Sequence, residues 1–387
     1  METSNTLIST KSSSAFKKQA FKDQITGILF TLPAIIIIFF FGLFPIGYSF
    51  YMSLYNWNVR KGKFVGLQNY LNIFGDWTAF FQVVLGIALI VLAITLSRKV
   101  KQSETRFSKY SFVVLIILLV LAGVFFLTGW GRMIELGDEA YLSSLVNTLY
   151  YALGTVPTQI IIGMVIAYFL YQKIAGKELF RMLYFLPYVT PAVSTAVVFR
   201  IIFNRPDYSI ANRLIGLFGI DPLKWRFEKI PIMQLLGFDI EGFFAGPSLA
   251  LITIMIYGVW SFVGYNVVIF LSGLGNIPKE VYEAAEIDGA TKSQLFRYIT
   301  IPYLSPITFY LSLISLIGTF KAFNHIYVLR LPSAGYSVIT ASVYIFDRFY
   351  QYTQFGVATS QAIVLFLIIL GLTVVQNKVM AERVFYG

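Results

Sequence analysis

The sequence has no cysteine and a single histidine, His325. The first absence excludes disulfides, thiolate nucleophiles and Cys-ligated metals, and the second leaves a multi-histidine metal site without ligands. Charge is scarce as well. Charged residues make up 13% of the 387 positions, roughly half of the ~25% usual in soluble domains. What fills the gap is apolar: 57% hydrophobic residues, 17% aromatic and a mean hydropathy of +0.72. That balance excludes an ordinary cytosolic globular protein, and a chain so rich in Phe and Tyr does not stay disordered. Among the few charges, 30 Lys and Arg outnumber 19 Asp and Glu, for a net +11. In a membrane protein such an excess first marks cytoplasmic loops, so no nucleic-acid partner is inferred. There is no short tandem repeat and no low-complexity tract beyond a Ser-rich start.

Long uncharged gaps locate the spans. A helix needs about 20 apolar residues to cross the hydrocarbon core. Eight gaps qualify: Asp23–Arg60, Asp76–Arg98, Lys109–Arg132, Glu139–Lys173, Arg181–Arg200, Glu241–Lys279, Arg297–Lys321 and Arg348–Lys378. The shortest, Arg181–Arg200, encloses 18 uncharged residues. Runs such as Ile35–Phe41 lack the alternation of a β-barrel strand. Backbone groups in lipid must be satisfied internally. The reading is therefore an all-α polytopic membrane protein of eight transmembrane helices. The first span is too long for a secretory signal peptide and has no small-residue cleavage site.

Orientation follows from Lys and Arg. With the N-terminus inside, the cytoplasmic segments hold 17 of them and the outer loops 11. The cluster Arg98, Lys99, Lys101, Arg106 and Lys109 weighs most, because it lies in a short loop between spans. Both termini are then cytoplasmic. Residues 1–23 read as a disordered cytoplasmic tail. Residues 24–142 hold spans one to three, with a hairpin at 79–128, and residues 143–387 hold five more spans. Within that core lie an outer loop, 204–247, and a cytoplasmic loop, 275–302. In the outer loop the apolar stretch Ile210–Ile220 reads as an interfacial helix, with Trp225 near the headgroups.

The cytoplasmic loop has its own punctuation. Pro278 suits the first helical position, and Glu280 and Glu283 follow where the helix dipole favours acids. Gly289 can turn left-handed and end the helix. Thr291 and Gln294 then form a capping-box pattern for a second helix. One reading of the first helix is an amphipathic connector lying on the bilayer. Four acids against one lysine over 278–288 suit anionic lipid poorly, and small Ala284 and Ala285 leave room for another protein to approach.

This loop resembles the EAA loop of binding-protein-dependent ABC importer permeases. That pattern is Glu-Ala-Ala, three residues, Gly, nine residues, then Ile-x-Leu-Pro. Here it is Glu283-Ala284-Ala285, Gly289, Ile299 and Pro302, with Ile301 where Leu is usual. The carbohydrate-uptake branch is resembled further by Leu32-Pro33-Ala34, Phe64–Tyr70, Leu186–Pro191, Asn212-Arg213-Leu214 and Ala358-Thr359-Ser360, so the likeness covers about 25–80 and 143–387. Eight spans instead of six match the larger permease subunit of maltose importers, although the large periplasmic domain some of those carry is missing.

The resemblance implies a type I ABC importer permease fold, in the inner membrane of a bacterium. It implies that the loop docks on a cytoplasmic ATPase, with Glu283 in polar contact, the alanines allowing close packing and Gly289 making the turn. It implies as partners a second sugar permease, two ATPase subunits, an extracytoplasmic solute-binding protein and a sugar, with lipid around the spans. The chain has no GxxxxGK[ST] phosphate loop, so ATP and its magnesium would sit on the ATPase. No cofactor and no enzymatic activity are expected of this chain.

Polar and aromatic residues in the fifth to seventh spans are the substrate-path candidates, because sugars are held by aromatic faces and hydrogen bonds. They are Tyr188, Thr195, Trp260, Tyr265, Asn266, Lys321, Phe323 and Asn324. Each has a plainer reading as a helix–helix packing group. Lys321 either pairs with an anionic sugar or a glycerol phosphate, or snorkels to the outer interface. An ion-coupled secondary transporter would need intramembrane carboxylates, and none interrupts the eight gaps. An intramembrane enzyme would need catalytic groups that the spans do not supply.

Overall fold

The computed structural model describes residues 3–102, 108–172, 175–380 and 384–385. Arg106 lies outside the described residues, and the side chains of Arg98, Lys99, Lys101 and Lys109 are likewise not described.

The apolar gaps become helices. α1 (Thr3–Ile38) runs through a π-helical turn, Phe39–Leu43, into α2 (Phe44–Ser53). The disordered tail expected over 1–23 is therefore helical from Thr3. No Pro or Gly precedes Gly27, and once an apolar span nucleates a helix, each further residue adds at little cost. A short antiparallel hairpin, β1 (Tyr55–Trp57) and β2 (Lys61–Phe64), and α3 (Gln68–Phe74) follow. α4 (Trp77–Gln102) and α5 (Ser108–Leu136) pack along each other and join the remainder through α3 and the start of α6 (Glu139–Tyr171).

The fifth gap departs from a single straight span. α7 (Lys177–Val189) and α8 (Ala192–Ile202) meet at 98°. Pro191 has no N–H to continue the ladder, and it pushes Thr190 out of the helical region to φ −73°, ψ 138°.

Segment 204–247 holds α9 (Ile210–Gly216) and α10 (Ile232–Leu235), with a 3₁₀ turn at Trp225–Phe227. The expected helix over Ile210–Ile220 thus stops at Gly216, and Trp225 is buried rather than at the headgroups. Its indole packs on Phe203 with centroids 5.0 Å apart, and Nε1 donates to Asn212 Oδ1 at 2.6 Å. Once that N–H is satisfied, the ring gains more inside than at an interface.

α11 (Leu249–Gly275) is the most enclosed helix, with 56% of its apolar window buried. Gly264 lets α7 cross it closely: a Cβ there would run into the backbone of Tyr184 and Phe185. Loop 275–302 forms α12 (Lys279–Ile287), α13 (Lys292–Leu295), a π-turn at Phe296–Thr300 and α14 (Ile301–Tyr303), leading into α15 (Ser305–Phe320) through a 61° bend. α16 (Asn324–Leu329), α17 (Ala341–Phe346), a π-turn at Asp347–Gln351 and α18 (Phe355–Met380) complete the chain. Among the described residues, six helices are long and apolar enough to cross a membrane, or eight if each bent pair is one span.

Candidate coupling surface and translocation path

The cytoplasmic loop is built from local bonds. Gly289 sits at φ +83°, where only glycine is at ease. With it there, Ala290 N–H donates to Ala285 O at 2.9 Å and Gly289 N–H to Glu286 O at 3.0 Å. This pair of bonds is the Schellman closure of a helix. Thr291 then opens α13 with both halves of a capping box to Gln294. Pro278 proves to be the N-cap rather than the first helical residue.

No residue of α12 is buried. Glu280, Glu283, Glu286 and Asp288 point to solvent, and Ile287 is 85% exposed. Tyr282 anchors the helix from its other side. Its hydroxyl bonds Thr300 Oγ1 at 2.9 Å, and its ring packs beside Ile299 and Tyr303 on the cluster of Leu274, Ile277 and Leu304. Partial burial pushes the Tyr282 phenol pKa up, which keeps it a hydrogen-bond donor. Ala285, Gly289 and Ile299, all singled out by the resemblance, line one cavity of about 290 Å³ with Asp288 and Tyr298. Glu283 and Ala284 stand exposed beside it and Pro302 is half-buried at the start of the next helix. A movable object gripping α12 would therefore pull on α11 and α15 together.

The path candidates separate into three places. Tyr188 and Tyr265 stack at 5.0 Å, with Phe262 6.1 Å from Tyr188. Lys321, Phe323 and Asn324 lie together where α15 ends and α16 begins, and Lys321 and Asn324 are exposed. The remaining three lie apart from both groups. Thr195 is buried and bonds Tyr257 Oη at 2.7 Å. Trp260 packs on Phe199 at 5.0 Å, on another face of α11 from Tyr265. Asn266 is 1% exposed against Gly163, and neither amide atom has a partner.

Trp260 lines a groove of about 650 Å³ between α6, α7 and α11, with Ile162, Leu183, Pro187 and Met255. Its lining is almost wholly apolar, and Thr158 spends its hydroxyl on Gly154 O. Such a surface cannot replace a sugar's lost water.

Spacing did not single out the polar ties of the outer end. Asp138 caps α6 and accepts from Tyr344 Oη at 3.0 Å and Gln361 Nε2 at 3.0 Å. Arg226 is buried and donates to Leu329 O and Arg200 O, near the C-terminal ends of α16 and α8. Carbonyls at helix ends attract a cation, and desolvation with Arg200 nearby lowers its pKa to about 10. His325 joins Tyr151 Oη at 2.7 Å and lies 4.9 Å from the Tyr257 ring. The only sequence signal among these is Asp138 before the sixth helix, an N-cap position.

Comparison with known proteins supplies what geometry does not. Residues 159–383 match the family described as binding-protein-dependent transport system inner membrane component. The arabinooligosaccharides transport system permease protein AraP of Bacillus subtilis is 30% identical over 261 residues, covering 67% of this chain and 78% of that protein. The trehalose/maltose transport system permease protein MalF of Thermococcus litoralis is 28% identical, covering 62% and 75%. A crystal structure of a bacterial alginate ABC transporter, in complex with an alginate-bound periplasmic protein, matches the fold with a TM-score of 0.54 at 18% identity, over 70% of this chain and 94% of that one.

Proposed function

The chain belongs to the family of binding-protein-dependent transport system inner membrane components, among the carbohydrate permeases of ABC importers, and from that premise we propose that it is the permease subunit through which an ATPase drives oligosaccharide uptake. Its relatives are membrane-embedded permeases and not themselves enzymes. The ATP and magnesium belong to a partner, and the chain's own chemistry is recognition and movement.

The observation that carries the reading is α12. It is an acidic helix closed at its end by its own bonds, with no buried residue, standing on α11 and α15 through Tyr282. Glu283, Ala284, Ala285 and Gly289 would form the docking face for a cytoplasmic ATPase, with Ile299 and Pro302 passing its motion into α15. ATP binding would close two ATPase subunits, move α12, and shift the spans between inward and outward openings. The permease is then a two-state element biased from both sides. A second sugar permease would complete the path, and a solute-binding protein would load it from outside. Each bent helix pair would be one crossing, giving eight, with both termini in the cytoplasm.

The sugar would meet the Tyr188–Tyr265 stack and the Lys321–Asn324 corner. Oligosaccharide is favoured because a relative at 30% identity is named for arabinooligosaccharide transport. An anionic sugar is the second reading, because Lys321 is exposed at that corner and has no ion-pair partner among the described residues.

The test is co-purification of the tagged chain in mild detergent, beside Glu283→Ala and Gly289→Pro. An ATPase should come down with the native chain, less with the first variant and not at all with the second. A native chain that purifies without an ATPase overturns the reading.

A further inference from the structure

The hairpin β1–β2 gathers cations where the chain offers no acid. Between Asp23 and Asp76 the only charged residues are Arg60, Lys61 and Lys63. All three are exposed, and none has an ion-pair partner among the described residues. Val59 and Phe64 flank them and are exposed as well, at 73% and 66%.

The hairpin folds back on the span that precedes it. The apolar stretch Gln19–Ser53 ends two residues before β1 begins. The Trp57 ring turns back to lie 6.1 Å from Tyr48 and 6.3 Å from Tyr51, both in the last two turns of α2. Lys61 Nζ donates to Tyr51 Oη and stands 4.3 Å from the centre of the Tyr55 ring. Tyr and Trp rings gathered at the end of a span mark the headgroup level, so the three cations are held at that depth and not beyond it. The base of the hairpin is fixed too. Asn69 Nδ2 donates to Ser53 O at 2.8 Å and to Tyr55 O at 3.0 Å, and α18 abuts the strand so closely that a Cβ at Gly356 would strike Tyr55 O. An arm set in place beforehand loses little freedom when it binds.

We propose that the β1–β2 hairpin is an interaction surface for anionic phospholipid. Arg60, Lys61 and Lys63 meet the negative headgroups, and Val59 and Phe64 enter the boundary with the acyl chains. The rings set the depth and the cations make the contact. An acidic protein would satisfy the same cations, but it would not need them seated among rings at the end of a span. The proposal needs only the membrane and stands apart from the sugar-import reading.

The test is native mass spectrometry of the full chain, titrated in parallel with phosphatidylglycerol and phosphatidylcholine. The native chain should bind phosphatidylglycerol more tightly, and added salt should narrow the difference. Arg60→Gln with Lys63→Gln should weaken phosphatidylglycerol binding at least fivefold, the equivalent of ~1 kcal/mol and the contribution of one cation at a charged surface. Phosphatidylcholine binding should stay as it was, and the variant should melt with the native chain, since both side chains are exposed. Lys224→Gln with Lys229→Gln removes the same charge elsewhere and should leave the preference intact. Equal affinity of the native chain for the two lipids overturns the proposal. So does a preference that survives in the hairpin variant, or one that falls equally in the control. Unchanged lipid binding with lost capture of a solute-binding protein would give the hairpin to a protein partner instead. None of these results bears on whether the chain imports a sugar.

Discussion

The two ends of this bundle are held together in different ways. At one end, α12 and its turn are closed by bonds between residues three to five positions apart, such as Ala290 to Ala285 and Thr291 to Gln294. At the opposite end the ties run across the chain: Asn147 Nδ2 to Ile339 O, Tyr344 Oη to Asp138 and Gln361 Nε2 to Asp138, over 192, 206 and 223 residues. A part that is shaped locally and touches little can be handed to a partner without disturbing the fold. A part made of long-range ties must move as a body or not at all. The contrast suits the proposed docking at the first end and, at the second, a region that moves as a body.

Substitutions at the two ends should separate stability from partner capture. Asp138→Ala should have the largest effect on stability. It leaves the Tyr344 O–H, Gln361 Nε2 and the Tyr141 amide without their acceptor, and losing several hydrogen bonds to a half-buried carboxylate costs ~3 kcal/mol. Thermal unfolding in detergent should show the drop, with ATPase capture from the remaining folded chain unchanged. Asn212→Ala removes the acceptor of Trp225 Nε1 and of the Leu223 amide. It should cost about 2 kcal/mol, visible as exposure of the Trp225 indole to aqueous fluorescence quenchers. Thr291→Ala should behave oppositely. Losing a cap costs ~1 kcal/mol locally, so the melting curve should barely move, while hydrogen exchange over α13 quickens and ATPase capture weakens. Equal losses of stability from Thr291→Ala and Asp138→Ala would erase the comparison.

The smallest expected effect is one of pH. The Thr78 hydroxyl and amide, with Arg132 near, hold the Asp76 carboxyl below its ordinary pKa. A lowered folded-state pKa means stabilisation that is present above the unfolded value and lost as pH falls through the folded one. Asp76→Asn should flatten that acid limb of the melting temperature and leave neutral pH nearly untouched. A steeper acid limb in the variant would show the sign to be wrong.

The same contrast explains what the sequence disclosed. The spans were legible because lipid tolerates few charges, so uncharged gaps mark them directly. The helix–turn–helix of loop 275–302 was legible because Gly289, Thr291 and Gln294 obey local rules for caps and turns, whereas its coupling role rests on the family resemblance. Gap counting measures composition and not direction, so the 98° bend at Pro191, inside the fifth gap, was not foreseen. The 1–23 segment misled for a related reason: polar composition does not stop a helix already nucleated by its neighbour. Tyr188 and Tyr265 were found together, but Thr195, Trp260 and Asn266 were not, because a polar or aromatic residue in a span does not reveal which face it takes.

Docking of α12 on an ATPase is the central claim, and the absence of cysteine makes it directly measurable. Single-cysteine chains, Ala284→Cys and Tyr350→Cys, carrying a short photo-activated cross-linker, should be irradiated in native membranes. The account predicts that position 284 captures a nucleotide-binding ATPase subunit and position 350 does not. Capture of the ATPase from position 350, or from neither position in membranes that contain it, would contradict the account.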